Sequence, residues 1–465
     1  MKPTAVWLSH AVVETAPLSP GRETLPVSAT PERGRRTVVA VNDAVHRGQR
    51  GHAAGPAGRG GSPGNVTGQR CVRRPHEVRG PPARYAKLGA SRAFPGIPDP
   101  ADSSIERPGT QVVDAGVNET AKGRLTMTVD LTAGMEPSRD YFLAGRPEDP
   151  QFRESASFWV SDDAGRIGLP RVGIEAIAES WDKRDFQVNL GFPDGRAVIV
   201  RASGEGRSPV DADGICRTFA AGGLEFRCVE PFKVLTMTYD GSAVDTTAAE
   251  MATGLRGPNV ALHVEVEVTC AAPPWVSGTL STEAKDLFDH GFAGAFISPR
   301  YEQLCTARGT VRLGEERWDF EGTALRIHRQ GLRDVGGFWG HCWPSALFPS
   351  GRGFGALAFP ERPDGQPTFN EGFVFDGERM IPATLVDAPW LRRLQPHGED
   401  VSLTLRTAEG DVRIEGETVL SAGMPPGSHH EFAPALQQAG VRYVWGGEQT
   451  FGMMERSIPG DQLEG

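Results

Sequence analysis

An all-β fold made of two antiparallel β-rich units is predicted by three features of the 465-residue chain. Apolar and polar residues alternate along many short runs, turn residues recur at short intervals, and helical periodicity is scarce. The clearest alternation runs from Val260 to Cys270. Val260, Leu262, Val264, Val266 and Val268 share one face, and His263, Glu265, Glu267 and Thr269 share the other. Pro193-Asp-Gly195, Asp240-Gly241, Pro363-Asp-Gly365 and Glu409-Gly-Asp411 supply turns between runs. Many strands at this spacing indicate an antiparallel sandwich or barrel.

The chain opens on a segment of another kind. Residues 1–125 carry 18 Lys and Arg against 10 Asp and Glu, whereas the remainder carries 31 against 49. A basic Arg/Gly/Pro-rich leader therefore precedes an acidic body. Its stretch HRGQRGHAAGPAGRGGSPG has almost no apolar periodicity and cannot bury enough surface to offset chain entropy, so residues 1–125 are read as disordered. A GC-rich upstream region read as coding would give the same mixture, with Met127 or Met135 as the true start. The leader has no aromatic interleaving and the body is acidic, so no nucleic-acid partner is expected.

In the body, Gly195–Arg201, Gly222–Cys228, Phe232–Tyr239 and Val401–Arg406 read as strands. Ser281–Phe288 opens a short helix, and Ala433–Ala439 is a weaker helical segment. Between the β-rich halves lies Cys270-Ala-Ala-Pro-Pro-Trp275. Proline has no N–H to give a ladder, so the first unit is placed at 128–270 and the second at 275–460, each sized for one closed sheet. No apolar run approaches the ~20 residues that span a bilayer, and no secretory pattern opens the chain. The six cysteines, Cys71, Cys216, Cys228, Cys270, Cys305 and Cys342, form no C-x-x-C pair. Neither a disulfide framework nor a zinc site is indicated, although Cys216 and Cys228 could face each other across a hairpin. The expectation is a cytoplasmic protein with no integral membrane segment and no indicated oligomeric state.

The candidate site is the stretch Leu325–Phe359, which sets four Arg, one Asp, two His and two Trp among glycines. Such a mixture suits an apolar pocket with a few polar groups aimed into it. In a strand, Trp339, His341 and Trp343 fall on one face, as core aromatics with a hydrogen-bonded His or as an aromatic ligand wall with one titratable group. Arg333-Asp334 is either a surface pair or, if Asp334 is buried, the seat of a proton donor. Glu302, in Arg300-Tyr-Glu-Gln303, is either an acid or the partner of Arg329 or Arg333. Glu455 either points into a barrel mouth or pairs with Arg456 or another surface charge. Consecutive His429 and His430, beside Glu431, point to opposite sides of a strand with no third ligand visible, so no metal is expected. Nucleotide-binding fingerprints and the G-x-S-x-G elbow are missing.

Several of these segments, in order, carry a resemblance. They are Arg300-Tyr-Glu-Gln303, the hairpin Gly309–Gly322, Gly331-Leu-Arg-Asp334, Trp339-Gly340 and Phe451-Gly-Met-Met-Glu-Arg-Ser457. Over residues 150–458 the chain resembles the lipocalin-like superfamily of carotenoid 1,2-hydratase (hydroxyneurosporene synthase), AttH-like proteins and tocopherol cyclase, and most of all its little-characterised bacterial branch. The resemblance implies two tandem lipocalin-like β-barrels, an apolar and often isoprenoid ligand, and cofactor-independent addition to, or cyclisation of, a C=C bond. It matches Asp334, Arg333 and Trp339-Gly340 to the motif's Asp, Arg and Trp-Gly. This sequence departs from the pattern in the longer Val335–Phe338 insertion and in Cys342, where an Arg is expected. The expected function is hydration, isomerisation or cyclisation, with Asp334 as general acid and His341 as proton shuttle or base. Trp339 and Trp343 would shelter a cation, while Arg333, Glu302 and Glu455 orient the acid. The alternatives are a non-catalytic carrier or sensor, or a structural network at a domain junction.

Overall fold

The computed structural model describes residues 129–251, 254–335, 338–362, 364–424 and 434–464, within one compact unit. The leader read as disordered and His429-His430-Glu431 lie outside the described residues.

Two closed antiparallel barrels of eight strands make up the fold. The first contains β1 (Phe152–Asp162), β2 (Gly168–Ile177), β3 (Lys183–Gly191), β4 (Arg196–Glu205), β7 (Val234–Thr247), β8 (Asn259–Cys270), β10 (Arg300–Leu313) and β11 (Glu316–Leu332). It closes where β4 pairs with β7 and β11 with β1. A hairpin of β5 (Thr218–Ala221) and β6 (Leu224–Glu230) extends the edge of β7, and the two-residue β9 (Trp275–Val276) lies beside β10. The second barrel is a meander. It runs through β12 (His341–Leu347), β13 (Gly353–Ala358), β14 (Asn370–Phe375), β15 (Met380–Asp387), β16 (Leu403–Thr407), β17 (Gly410–Met424), β18 (Ala435–Trp445) and β19 (Glu448–Ile458), which returns to β12.

The expected boundary at 270–275 falls inside the first barrel. Pro273-Pro274 does end the ladder of β8, but the chain only makes a detour. It forms the helix Thr282–His290, capped by the Ser281 hydroxyl accepting from Ala284 N at 3.1 Å, and the short helix Phe292–Ile297. It then returns as β10, which lies against β8 with Cys305 opposite Cys270. Strands up to Cys270 cannot close a sheet of this size, so β10 and β11 belong to it and the crossing to the second barrel falls between Leu332 and His341. The weaker helical reading of the sequence also gives way, from Ala435 onward, to a strand. Gln437 and Gln438 there are buried against Arg456 and Glu455 of β19, so tertiary pairing overrides helix propensity.

Alternation sets the cores as expected. Leu262, Val264, Val266 and Val268 point into the first barrel, while His263, Glu265 and Glu267 point away. Phe354, Leu403, Leu405, Tyr443 and Met454 fill the second. Both interiors are therefore occupied by side chains. A third apolar cluster lies between the barrels, around Trp159, Trp343, Leu304, Leu325 and Met453. Among the described residues no helix is long and apolar enough to cross a membrane.

Candidate functional site

The barrels meet through the outward faces of β1, β2, β10 and β11 on one side and of β12, β18 and β19 on the other. The two-residue period sorts these faces into rungs. One rung holds Leu304, Leu325, Trp159, Ser345 and Met453. The next holds Glu302, Ile327, Ser157, Trp343 and Glu455, and the last Arg300, Arg329, Ser155, Glu175, His341 and Ser457. Apolar character thus gives way to charge along the interface within three rungs.

The middle rung carries two buried carboxyl groups in different surroundings. Glu302 accepts from Trp343 Nε1 at 2.9 Å and lies 2.7 Å from Arg300, whose guanidinium sits 4.8 Å over the Trp343 ring. Burial raises its pKa above the ordinary carboxylate range, against the opposing pull of Arg300 and the indole N–H. Glu455 experiences the same burial, but Arg171 at 3.0 Å, His341 at 3.2 Å and Gln438 at 2.7 Å outweigh it and hold its carboxyl well below that range. Two carboxyl groups on one rung are thereby pushed in opposite directions.

His341 lies between Glu455 and Ser457. Its Nδ1 is 2.6 Å from Ser457 Oγ and its Nε2 is 3.2 Å from Glu455 Oε1. Burial lowers the imidazole pKa, although Glu455 opposes this, so the ring is neutral near pH 7. An ionised Glu455 can only accept, so Nε2 carries the proton and Nδ1 accepts from the Ser457 hydroxyl. Ser457 Oγ also accepts from His341 N at 3.1 Å, which fixes the hydroxyl in place.

Arg171 reaches Glu455 from a strained backbone. The β1–β2 register slips between Phe158 and Val160, and the β2–β3 register slips between Gly168 and Val172. At this bulge Arg171 has φ 78°, a left-handed conformation costing on the order of 1–3 kcal/mol for a residue other than glycine. The bulge brings the guanidinium 5.3 Å over the Trp159 ring and onto Glu455. Trp159 and Trp343 meet edge to face at 4.9 Å, a pairing worth about 1 kcal/mol beyond its buried area.

The charged rung is rich in arginine. Arg329 Nε donates to Ile297 O at 3.1 Å and Arg333 Nε to Phe296 O at 3.0 Å, so two guanidinium groups satisfy the last carbonyls of the Phe292–Ile297 helix. Arg153 and Arg333 lie 3.4 Å and 3.6 Å from Glu175. Burial would raise the Glu175 carboxyl, but Arg333, Arg153, Arg329 and Arg171 together hold it down to about 2.

The expected site residues separate here. His341 and Trp343 share a face, as expected, and Glu302 and Glu455 join them. Glu302 pairs with Arg300 rather than Arg329 or Arg333, and Glu455 with Arg171 and His341 rather than Arg456. Trp339 leaves that face, because Gly340 at φ 125° breaks the alternation and the indole donates to Pro360 O at 2.9 Å. Asp334 is exposed, so the desolvation that its role as proton donor requires is missing. Arg171 and Glu175 are not singled out from sequence, and Arg300 and Ser457 appear there only within segments, without a role. The period-2 step from Glu455 to Ser457 was the available signal for the last of these.

The described side chains leave about 10 Å³ between the barrels, beside Trp159, Ser345 and Met453. A cleft of about 780 Å³ lies elsewhere, on the surface of the first barrel among Asp162, Asp163, Glu265, Arg308 and Glu321, without the aromatic wall of the interface.

A family model described as Domain of unknown function (DUF7064) matches residues 142–459. No curated protein matches the chain. Among solved structures, an AttH from Nitrosomonas europaea is similar at 12% identity with a TM-score of 0.45, over 68% of this chain and 98% of its own. CghA, solved with Sch210972, is similar at 12% identity and 0.42, over 67% and 89%. Kievitone hydratase from Nectria haematococca is similar at 8% identity and 0.41, over 69% and 94%. Likeness at this level carries no chemistry from those proteins to this one.

Proposed function

Because the chain belongs to the DUF7064 family, whose description names no activity, we propose a function from the geometry between its barrels: acid–base chemistry on a hydrophobic small molecule. The observation that carries it is the pair of buried carboxyl groups, Glu302 and Glu455, shifted in opposite directions on one rung.

Glu302, whose pKa burial raises against the pull of Arg300, is the proton donor in this reading. Protonating a C=C bond moves positive charge onto carbon, and in this reading the indoles of Trp343 and Trp159 shelter it. A water that then adds passes its proton to the Ser457 hydroxyl as that group gives its own to His341 Nδ1. The imidazolium formed is stabilised by Glu455. Loss of a neighbouring C–H proton along the same path would give isomerisation, and attack on the cation by a second C=C bond of the same molecule before that loss would give cyclisation. Isoprenoid-like alkenes are the substrate class that the motif resemblance favours.

A second reading is a non-catalytic carrier or a charged joint between the barrels. The small space between them, about 10 Å³, favours the joint. Incubating the full chain with a panel of isoprenoid and steroid-like alkenes in deuterated water separates the two. Catalysis would place deuterium at carbon, and Glu302→Gln would abolish it. Bound but unchanged alkenes would leave the carrier, and loss of turnover with Asp334→Asn but not Glu302→Gln would return the acid role to Asp334.

A further inference from the structure

Two thiols inside the first barrel take no part in the chemistry above. Cys270 closes β8, and Cys305 lies directly opposite it on β10. An antiparallel ladder has two kinds of opposite pair, and this is the closer one. Cys270 N donates to Lys233 O, just before β7, at 2.8 Å, so its backbone groups point away from β10. The next residue supplies the bond to β10, from Ala271 N to Leu304 O at 2.9 Å. Pairs of this non-hydrogen-bonded kind hold their Cα atoms roughly 4.5 Å apart, within the range that a disulfide spans.

The two sulfur atoms are already neighbours. Cys305 Sγ donates to Cys270 Sγ at 3.8 Å. Gln303 flanks both, with its side-chain oxygen 3.5 Å from Cys270 Sγ and its backbone oxygen 3.4 Å from Cys305 Sγ. The hydrogen bond from Cys305 lowers the Cys270 pKa, whereas burial pushes Cys228 and Cys342 up to about 12. At 4% and 0% exposed, Cys270 and Cys305 are closed to bulky disulfides, so their oxidant must be as small as a peroxide.

We propose that Cys270 and Cys305 form a reversible cross-strand disulfide when the protein meets hydrogen peroxide. The peroxide gives one oxygen to the Cys270 sulfur, leaving a sulfenic acid and one water. The Cys305 sulfur then attacks that sulfur. The S–O bond breaks, the S–S bond forms, and a second water leaves with the Cys305 proton. Two thiols thereby lose two electrons and two protons, and the peroxide O–O bond takes up both electrons. Transient bridges of this kind are the ones a reducing compartment allows. The bridge fastens both ends of the detour 271–304. That detour grips the second barrel through Glu371 of β14, which accepts from Trp275 Nε1 at 3.0 Å, Gly278 N at 2.6 Å and Leu280 N at 2.8 Å. Tying its ends removes chain freedom from its open states, so oxidation stiffens this contact.

The test exposes the full chain to hydrogen peroxide under native conditions and then unfolds it in a maleimide that caps every remaining thiol. Peptide mass spectrometry should find one linked pair, Cys270 with Cys305, lighter by two hydrogens and released by dithiothreitol. Cys270→Ala and Cys305→Ala should each remove it, while Cys71→Ser combined with Cys216→Ser should retain it. Amide exchange across 271–281 should slow several-fold in the oxidised protein and recover with dithiothreitol. Both cysteines capped after exposure, oxidation of either to a sulfinic acid without the link, or a link from either to another cysteine would overturn the proposal. A link that leaves exchange across 271–281 unchanged would overturn its hold on the detour.

Discussion

The molecule buries two polar networks, one inside the first barrel and one between the barrels, and they are assembled on different terms. Inside the barrel, Asp140 of the segment Pro137–Asp140 pairs with Arg326 and accepts from Tyr301 Oη at 2.5 Å. Tyr301 Oη lies 3.0 Å from His328 Nδ1, and His328 Nε2 lies 3.3 Å from Glu154. Asp140 also accepts from Phe232 N, and Glu154 from Leu143 N and Gln330. Arg326 and Arg184 there face Asp140 and Glu154, so charge is matched. The interface network has clustered arginines, a strained residue at Arg171 and carboxyl groups shifted both ways. Matched charge that ties a terminal segment into a barrel is what structural closure requires. Strain, and carboxyl groups shifted both ways beside aromatic rings, are what a ligand or a reaction requires.

Breaking the interior network should have the largest effect on stability. Arg326→Ala leaves Asp140 buried without its ion partner and should cost about 3–5 kcal/mol in denaturant unfolding. The pH dependence has a definite sign. Asp140, with Arg326 and its hydrogen-bond donors outweighing burial, is held down to about 2 from 3.8. Its contribution is fully present above the unfolded value and is lost as pH falls through the folded one. The loss is about 2 kcal/mol, which Asp140→Asn should remove from the acid limb of the stability curve.

The interface should respond in the other observable. Glu302→Gln should lower turnover by at least about 100-fold, while unfolding free energy changes by less than ~1 kcal/mol, because glutamine keeps a carbonyl that can accept from Trp343 Nε1. Its linkage also runs the other way. A raised carboxyl stabilises the fold below the ordinary carboxylate pKa, and that contribution is lost as pH rises through the raised value. A Glu302→Gln variant that loses several kcal/mol would show that Glu302 is ionised and merely structural, like Asp140.

Smaller effects sharpen the contrast. Arg171→Gly and Arg171→Ala lose the same guanidinium, but only alanine is strained at φ 78°, so the glycine variant should be about 1 kcal/mol more stable in thermal unfolding. Asp334→Asn, at an exposed position, should shift stability by less than ~0.5 kcal/mol.

Local patterning carried much of this architecture. The alternation in β8, the Ser281 cap and the shared face of His341 and Trp343 all follow from residues a few positions apart. The barrel boundary did not, because Pro273-Pro274 reads as a linker whether or not the chain later returns to the same sheet. Glu455 lay close to hand in the sequence, but its partner Arg171 is 284 residues away on a bulge that no local signal announces. Trp339 and Asp334 fell to geometry of the same kind. A single positive φ at Gly340 turns the first off the shared face, and the second lies on the surface just past the end of β11.

Hydrogen–deuterium exchange of the full chain with and without an isoprenoid-like alkene tests most directly whether the interface is the functional surface. Protection is predicted in peptides covering 168–175, 296–303 and 338–345, with the interior segment 135–143 unchanged. Protection confined to 135–143 and the strands around Arg326 would place the ligand inside the first barrel and contradict the account.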